Sequence, residues 1–529
     1  MDDPKGFGKR SHHGSSEGMK TGILVFDIGT TSVKTSIFEH RGIPLASVSV
    51  RYPTEYPKSG WAEQDPQKFW EAAVRAVQEL VAKEPVLSAS IVSIGLTGHM
   101  NGCLLVDKEG TPTHPALIHS DSRSIEECTF IQSVCKQDEI YRRTGNRIDE
   151  HLSLPKLLWV KKHRPEEFFR SSWFLNAKDY LRFRLTGELG TTDYSDASLT
   201  GAFKQTEKEW DTELIEALDL PYTIFPTPEL ATKQAGTLSI QAAELLGLKS
   251  GIPVSYGGGD AACATRGAGV SGMGEAYAAI GSSAWISTLS ESPVPDPMMR
   301  MQHFLDLEGE QFNICGTVQS AGIALDWAQN LFAQEYKTES ESYKDLEANL
   351  RKLPIGSWGV LFLPYLMGER TPHWDAYARG AYIGLSLSTD KYGLLRSTYE
   401  GVAFALADIM HIFKELHLPI NRFTLLGGGA RSTFWQEIMG EIFGMPLGIH
   451  PYPTEATAMG AALAAGISVG LWENMHDAIE CVGWKTGEVL PDPVHVEAYR
   501  KVYAIYRGVY PALRNMYRQL AEVRTIHAY

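Results

Sequence analysis

The chain is poor in cysteine. Six cysteines, at 103, 128, 135, 263, 315 and 481, are scattered through 529 residues, and no C-x-x-C pair occurs. That pattern speaks against a disulfide framework or a cysteine-based zinc site, and it suits reduced thiols in a cytoplasmic protein. Positive charge is also short: 49 Lys and Arg stand against 63 Asp and Glu, a net charge of −14. A nucleic-acid partner needs a basic face, so none is expected. A nucleotide held in a locally positive pocket is not excluded. Nowhere do about eighteen apolar residues follow one another, the length that spans a bilayer, so no membrane span is expected. The G-x-x-x-x-G-K-[ST] spacing of a P-loop is absent as well.

Hydrophobic residues make up 43% and charged residues 21% of the chain, the balance of a soluble globular protein. The length predicts more than one core, and two large domains fit better than one. Residues 1–18, MDDPKGFGKRSHHGSSEG, have no apolar segment and read as a disordered leader rather than a secretory signal.

The most informative stretch is Ile23-Leu24-Val25-Phe26-Asp27-Ile28-Gly29-Thr30-Thr31-Ser32-Val33-Lys34. An apolar run leads into a polar turn, and an apolar pattern then resumes to Phe38, so a strand–turn–strand hairpin is predicted. Such a turn exposes backbone N–H groups and hydroxyls that can cradle phosphate oxygens. Asp27 at the strand mouth can hold Mg²⁺, usually through water, and Lys34 adds positive charge. The same residues also suit a plain hairpin.

Further along, Asp65-Pro66 reads as an N-cap and first helical residue, with Trp70, Val74, Val77 and Val81 forming the apolar stripe. Ile91 to Leu96 reads as a strand with Cys103 to Val106 as its partner. Between them lie His99, Met100 and Asn101, either a ligand-binding strand end or a simple turn. Asp121 can orient hydroxyls or pair with Arg123. Helices are expected at 123–136, 154–163 and 176–186, and Thr-, Asp- and Ser-rich loops follow to residue 201. Ile252 to Tyr256 leads into Gly257-Gly258-Gly259-Asp260. The glycines allow close approach of a ligand or another backbone, and Asp260 suits a general base or a helix N-cap. The domain boundary is expected here, giving domains 20–262 and 263–525. The second half echoes the first: strand 276–280, turn Gly281-Ser282-Ser283, strand 284–287. Later, Phe423 to Leu426 ends in Gly427-Gly428-Gly429-Ala430 before a helix. Tyr499, Tyr503, Tyr506 and Tyr510 share one face of a C-terminal helix and read as packing.

The order of these motifs resembles the FGGY carbohydrate kinases, from about residue 22 to 510. Stretches such as Gly60-Trp61-Ala62-Glu63-Gln64-Asp65-Pro66, Lys156-Leu157-Leu158-Trp159, Gly368-Glu369-Arg370-Thr371-Pro372-His373 and Leu426-Gly427-Gly428-Gly429-Ala430-Arg431-Ser432 look like the xylulokinase branch. The resemblance implies an α/β protein with two ribonuclease-H-like domains of the actin/hexokinase/Hsp70 superfamily flanking a deep cleft, sugar mainly in the first and ATP mainly against the second. It implies Asp260 as the base and Asp27 as the Mg²⁺ support. Thr30, Thr31 and Lys34 would face the terminal phosphates. Gly281 and Ser282, with Gly322 nearby, would form a second phosphate turn, and Gly428, Gly429 and Ser432 would border the adenosine. His99, Met100, Asn101 and Asp121, with Asp260, fall at the sugar positions. Five positions depart from the branch: His99 stands where Gln is usual, Asn101 where His is usual, His119 where Trp is usual, Ser120 where Asn is usual, and Ala261 where Asn or Gln is usual. The kinase expectation survives these changes, and the sugar stays open between a ketopentose such as D-xylulose and another polyol or sugar (glycerol, gluconate, an L-ketose or a deoxy-ketose); the rival reading is a non-catalytic nucleotide-gated protein of the same fold. A homodimer is also left open.

Overall fold

The structure, a computed structural model, describes residues 21–336, 340–483 and 487–526. The expected leader lies outside the described residues. The opening hairpin forms as predicted: β1 (Gly22–Ile28) pairs antiparallel with β2 (Ser32–Glu39), and β3 (Pro44–Arg51) follows. Helix α1 (Pro66–Lys83) begins where Asp65 caps it and Pro66 presets its first turn. β4 (Ile91–Gly98) then lies parallel to β1. The Cys103–Val106 segment does not pair with β4. Its strand β5 (Leu104–Val106) joins β6 (Trp173–Leu175) in a separate ribbon, which follows helix α2 (Ser153–His163) and precedes α3 (Ala177–Thr186). Its apolar alternation fits either partner, and only tertiary contacts choose. Within the expected loops before residue 201, Tyr194–Ser198 is a short helix, capped by Asp193.

β7 (Gln234–Thr237), α4 (Ile240–Leu246), β8 (Pro253–Ser255) and β9 (Gly258–Gly259) complete a seven-stranded sheet of order β7-β8-β4-β1-β2-β3, with β9 also on β4. Helix α5 (Asp260–Gly267) carries the chain out of it. A second hairpin, β10 (Gly274–Ile280) and β11 (Ala284–Ser290), opens a second seven-stranded sheet. β12 (Gln302–Leu305), β13 (Phe312–Val318), α6 (Gly322–Phe332), α7 (Lys391–Glu415), β14 (Ile420–Leu426), α8 (Thr433–Phe443), β15 (Leu447–Ile449), α9 (Ala456–Ser468), β16 (Gly487–Val489) and α10 (Pro493–Ile526) follow. This sheet reads β12-β13-β11-β10-β14-β15-β16.

Strand alternation explains the layering. Leu24, Phe26 and Ile28 of β1 join the core under α1, whereas Ile23 and Val25 join a different core with Ala461, Ala464 and Leu463 of α9. α9 thus leaves the second sheet and covers the first: Ser93 of β4 donates to the Ala465 carbonyl at 2.9 Å. α5 leaves the first sheet and packs Ala264 and Ala268 against Tyr277 and Ala279 of β10. The two helices cross so closely that a Cβ on Gly267 would lie 1.7 Å from the Ala456 carbonyl, and one on Gly460 1.9 Å from that of Cys263. The α10 tyrosines pack as read: Tyr499 donates to Glu400, Tyr503 to Asp408 and Tyr510 to Asp375, at 2.6–2.9 Å.

Candidate active site

The two hairpin turns face one another across a cavity of about 700 Å³ between the sheets. Thr30 reaches it from the first turn, and Ser282 and Ser283 from the second. Thr31 sits at the exposed tip of its turn. The first turn is braced from behind: Gly29 N–H bonds to Ser32 O at 3.0 Å, Tyr52 donates to Gly29 O, and Gln64 donates to Thr30 O at 2.6 Å. The second turn is clamped to the α6 N-terminus, since Ala321 and Ile323 N–H both bond to Ser282 O. Gly322 is required for that clamp, because a Cβ there would lie 2.5 Å from the Gly281 carbonyl.

A second cavity, of about 330 Å³, opens beside the first, and Ser282 lines both. Gly281, Ser282, Gly322, Gly428, Gly429 and Ser432 all line it, so six residues chosen from three distant stretches meet at one place. The glycines differ in what they do. A Cβ on Gly428 would meet nothing within 4 Å, so a side chain there would enter the cavity. Gly429 is not open in that way: its Cβ would strike Ile280 at 2.5 Å and Trp435 at 2.8 Å. Ser432 caps α8 and donates to Glu347 at 2.6 Å.

Asp260 is the first residue of α5; the N-cap is Gly259, and Ala261 N–H bonds to Asp260 Oδ1 at 2.8 Å. Burial, and then the negative charge of nearby Asp27, push the Asp260 carboxyl up to about 7. Asp27 is raised as well, chiefly by burial, with Lys34 opposing and Glu455 adding. Its carboxylate makes no hydrogen bond or ion pair among the described residues. Two neighbouring acidic groups, one without a partner, fit a hydrated Mg²⁺, which takes few protein ligands and would relieve their repulsion.

Lys34 does not stand free for phosphate. Its Nζ donates to Thr454 O at 2.6 Å and pairs with Glu455 at 3.1 Å, tying β2 to the segment before α9. Asp121 is likewise spent: it accepts from Ala62 N–H at 2.6 Å and holds the buried Arg123 guanidinium at 2.7 Å, so no oxygen is left for a sugar. His99, Met100 and Asn101 are almost wholly buried instead of lining the cavity. Met100 packs on Gly259, where a Cβ would lie 2.5 Å from its sulfur. Both His99 nitrogens and Asn101 Oδ1 lack partners, burial lowers His99 to about 4, and Asn101 has the left-handed φ of 64°. The His99 ring lies 6.3 Å from that of His119, and His119 does line the cavity.

The sequence reading missed the segment 147–151. Arg147, Asp149, Glu150 and His151 line the cavity from one side, and Glu369 and Arg370 from the other. A charged run after a helix ordinarily marks a solvated loop. The signal lay in its flanks, Asn146 and the motif lysine Lys156, both buried. Lys156 donates to the carbonyls of Glu150, His151 and Leu152 at 2.7–3.1 Å.

Residues 22–267 match the model of the FGGY family of carbohydrate kinases, N-terminal domain, and residues 276–469 that of the C-terminal domain. A xylulose kinase of Bacillus subtilis is 31% identical over 502 residues, 95% of this chain and 99% of that protein. The crystal structure of a "xyloylose kinase" from Brucella ovis superposes with a TM-score of 0.85 at 29% identity, covering 93% of this chain and 99% of that one. A gluconate kinase structure from Lactobacillus acidophilus gives 0.87 at 26% identity, covering 95% and 100%. Two family models over most of its length, on a two-domain actin/hexokinase-like fold, show that the chain belongs to the FGGY carbohydrate kinases and is a sugar kinase.

Proposed function

We propose that this kinase transfers the γ-phosphoryl group of ATP to a hydroxyl of a ketopentose such as D-xylulose. The sugar would bind in the first domain, 20–262, and ATP against the second, 263–525. The observation that carries this reading is the joining of the two cavities at Ser282: a glycine-lined recess suited to an adenosine opens onto a polar cleft suited to a sugar. The xylulose kinase relatives support the ketopentose.

Asp260 would accept the proton of the attacking hydroxyl. Its elevated pKa makes it a better proton acceptor than a solvated carboxylate while leaving much of it ionised near neutrality. Thr30 and Ser282, on opposed turns, would orient the transferring phosphoryl group, since positioning and charge stabilisation supply most of the rate in phosphoryl transfer. Asp27, with Asp260 beside it, would hold Mg²⁺, which when bound neutralises charge on the phosphates. The cleft, with lining residues from both domains, would exclude water as domain closure brings the turns together.

The likeness to the gluconate kinase favours a second reading, a sugar acid as substrate. A coupled ADP-release assay separates them. D-xylulose, L-xylulose, D-ribulose, L-ribulose, gluconate and glycerol are compared by kcat/KM, and D-xylulose is expected to rank first. Gluconate or glycerol ranking above every pentulose would overturn the ketopentose assignment.

A further inference from the structure

Resting on the reading of the cleft as the sugar site, we propose that Asp149 is a specificity-determining residue. Oriented by His151 and set beside Arg370, its free carboxylate oxygen accepts a hydrogen bond from the sugar hydroxyl at the end remote from Asp260.

Asp260 does not line the cleft; it follows Gly259, against which Met100 packs, and His99 adjoins Met100. His99 leads to His119, 6.3 Å away between ring centres. His119 in turn is lowered by burial and then by the charges of His99, Arg370 and His151. Asp149 and His151 line the cleft together with His119, whereas the group that takes the proton does not, so the two carboxylates sit at different parts of the site. The Asp149 carboxylate is half used. Oδ1 accepts from His151 N–H at 2.7 Å and from His151 Nδ1 at 3.0 Å. Oδ2 is buried and has no partner. A buried acceptor left empty costs free energy that a ligand donor can recover. The carboxylate stays ionised: burial raises it, but the His151 bonds and the Arg370 charge outweigh that and hold it below the usual range. An ionised carboxylate accepts only, so the ligand atom facing it carries a proton, as a hydroxyl does. Arg370 Nε, also without a partner, supplies the matching donor.

The loop is built to hold this geometry. Asn146 Nδ2 anchors one end through Thr144, Ser198 and His303 carbonyls at 2.8–3.1 Å, and Lys156 fastens the other. Such rigid support is what selective recognition needs. Asp149, Glu150 and His151 could also offer three ligand atoms within 4.8 Å to a cation. The neighbouring Arg370 charge and the bond already joining Asp149 to His151 favour the hydroxyl.

The test pairs a residue change with a substrate change. D-xylulose and 1-deoxy-D-xylulose, which lacks the hydroxyl at the end remote from O5, are compared on the full-length wild type, Asp149→Asn and His151→Asn. Sugar binding is also measured calorimetrically in EDTA, without nucleotide. The wild type is expected to prefer D-xylulose by about 10–100-fold in kcat/KM, the range for a lost hydrogen bond to a charged group. Asp149→Asn is expected to abolish most of that preference, mainly through KM. Circular dichroism verifies folding, and either variant alone suffices. A preference that survives in both variants would overturn the inference while leaving the ketopentose kinase intact. Sugar binding that vanishes in EDTA and returns with Zn²⁺ would overturn it in favour of a metal site. A wild type that phosphorylates gluconate but neither xylulose removes the ketopentose reading itself, a separate failure visible before any variant is made.

Discussion

Asp260 carries two consequences that a solvated aspartate would not. As the proposed base it must be ionised, and burial with the neighbouring Asp27 charge pushes its carboxyl up to about 7. The kcat/KM profile is therefore expected to fall about tenfold per unit below pH 7, and an acid limb near pH 4 would remove Asp260 from that role. Stability runs the other way. A pKa raised above the unfolded value means that folding favours the protonated form. Its contribution to stability should then be full below about pH 4 and be lost as the pH rises to about 7, where the ionised group is fully carried. Asp260→Asn should raise Tm at pH 8, with the gain fading toward pH 4, while kcat drops by about 10²–10⁴-fold. Thermal melts at both pH values and steady-state kinetics check the pair. Asp260 is legible in the sequence as a candidate, because its glycines announce it from adjacent positions. Lys34 is harder to read for the opposite reason: its partner decides what it does, and Glu455, which holds it, sits 421 positions away. Asp121 takes the pairing with Arg123 that the sequence offered beside a sugar contact.

The glycine-rich turn before α8 shows how a motif can be located correctly while its members do different work. Gly428 faces open space and Gly429 packs on Ile280 and Trp435. Gly428→Val should raise KM for ATP at least about tenfold and leave KM for sugar nearly unchanged. If only the sugar KM rises, the ligands have been assigned to the wrong domains. Gly429→Val should instead lower Tm, as overpacking does. The α5–α9 crossing is stricter still. Gly460→Ala forces two backbones apart, with an expected cost of about 1–3 kcal/mol or more, read from denaturant unfolding. An unchanged midpoint would refute so close a crossing. Elements formed by neighbouring residues, such as both hairpins, α1 and the capped α4, could be read from pattern alone. The β5–β6 ribbon and the 147–151 loop could not, because residues far along the chain determine the pairing of one and the burial of the other.

At the scale of the molecule, the cleft takes lining residues from both halves of the chain, and the α5 and α9 crossing joins them. Binding of sugar with a non-hydrolysable ATP analogue should lower the radius of gyration in small-angle scattering, and neither ligand alone should do so fully. An unchanged radius with both bound would argue for a rigid cleft. The exchange of helices has one more consequence, for the making of the protein. The face of the first sheet formed by Ile23 and Val25 is covered by α9, which emerges from the ribosome only after residue 468. Until then the first domain, though its own strands are complete by Gly259, has an uncovered apolar face. A chain ending near residue 268 should therefore aggregate or bind chaperones, and supplying residues 269–529 in trans should rescue it. During translation the nascent first domain would have to wait, partly open, for the 200 residues from 269 to 468 to follow.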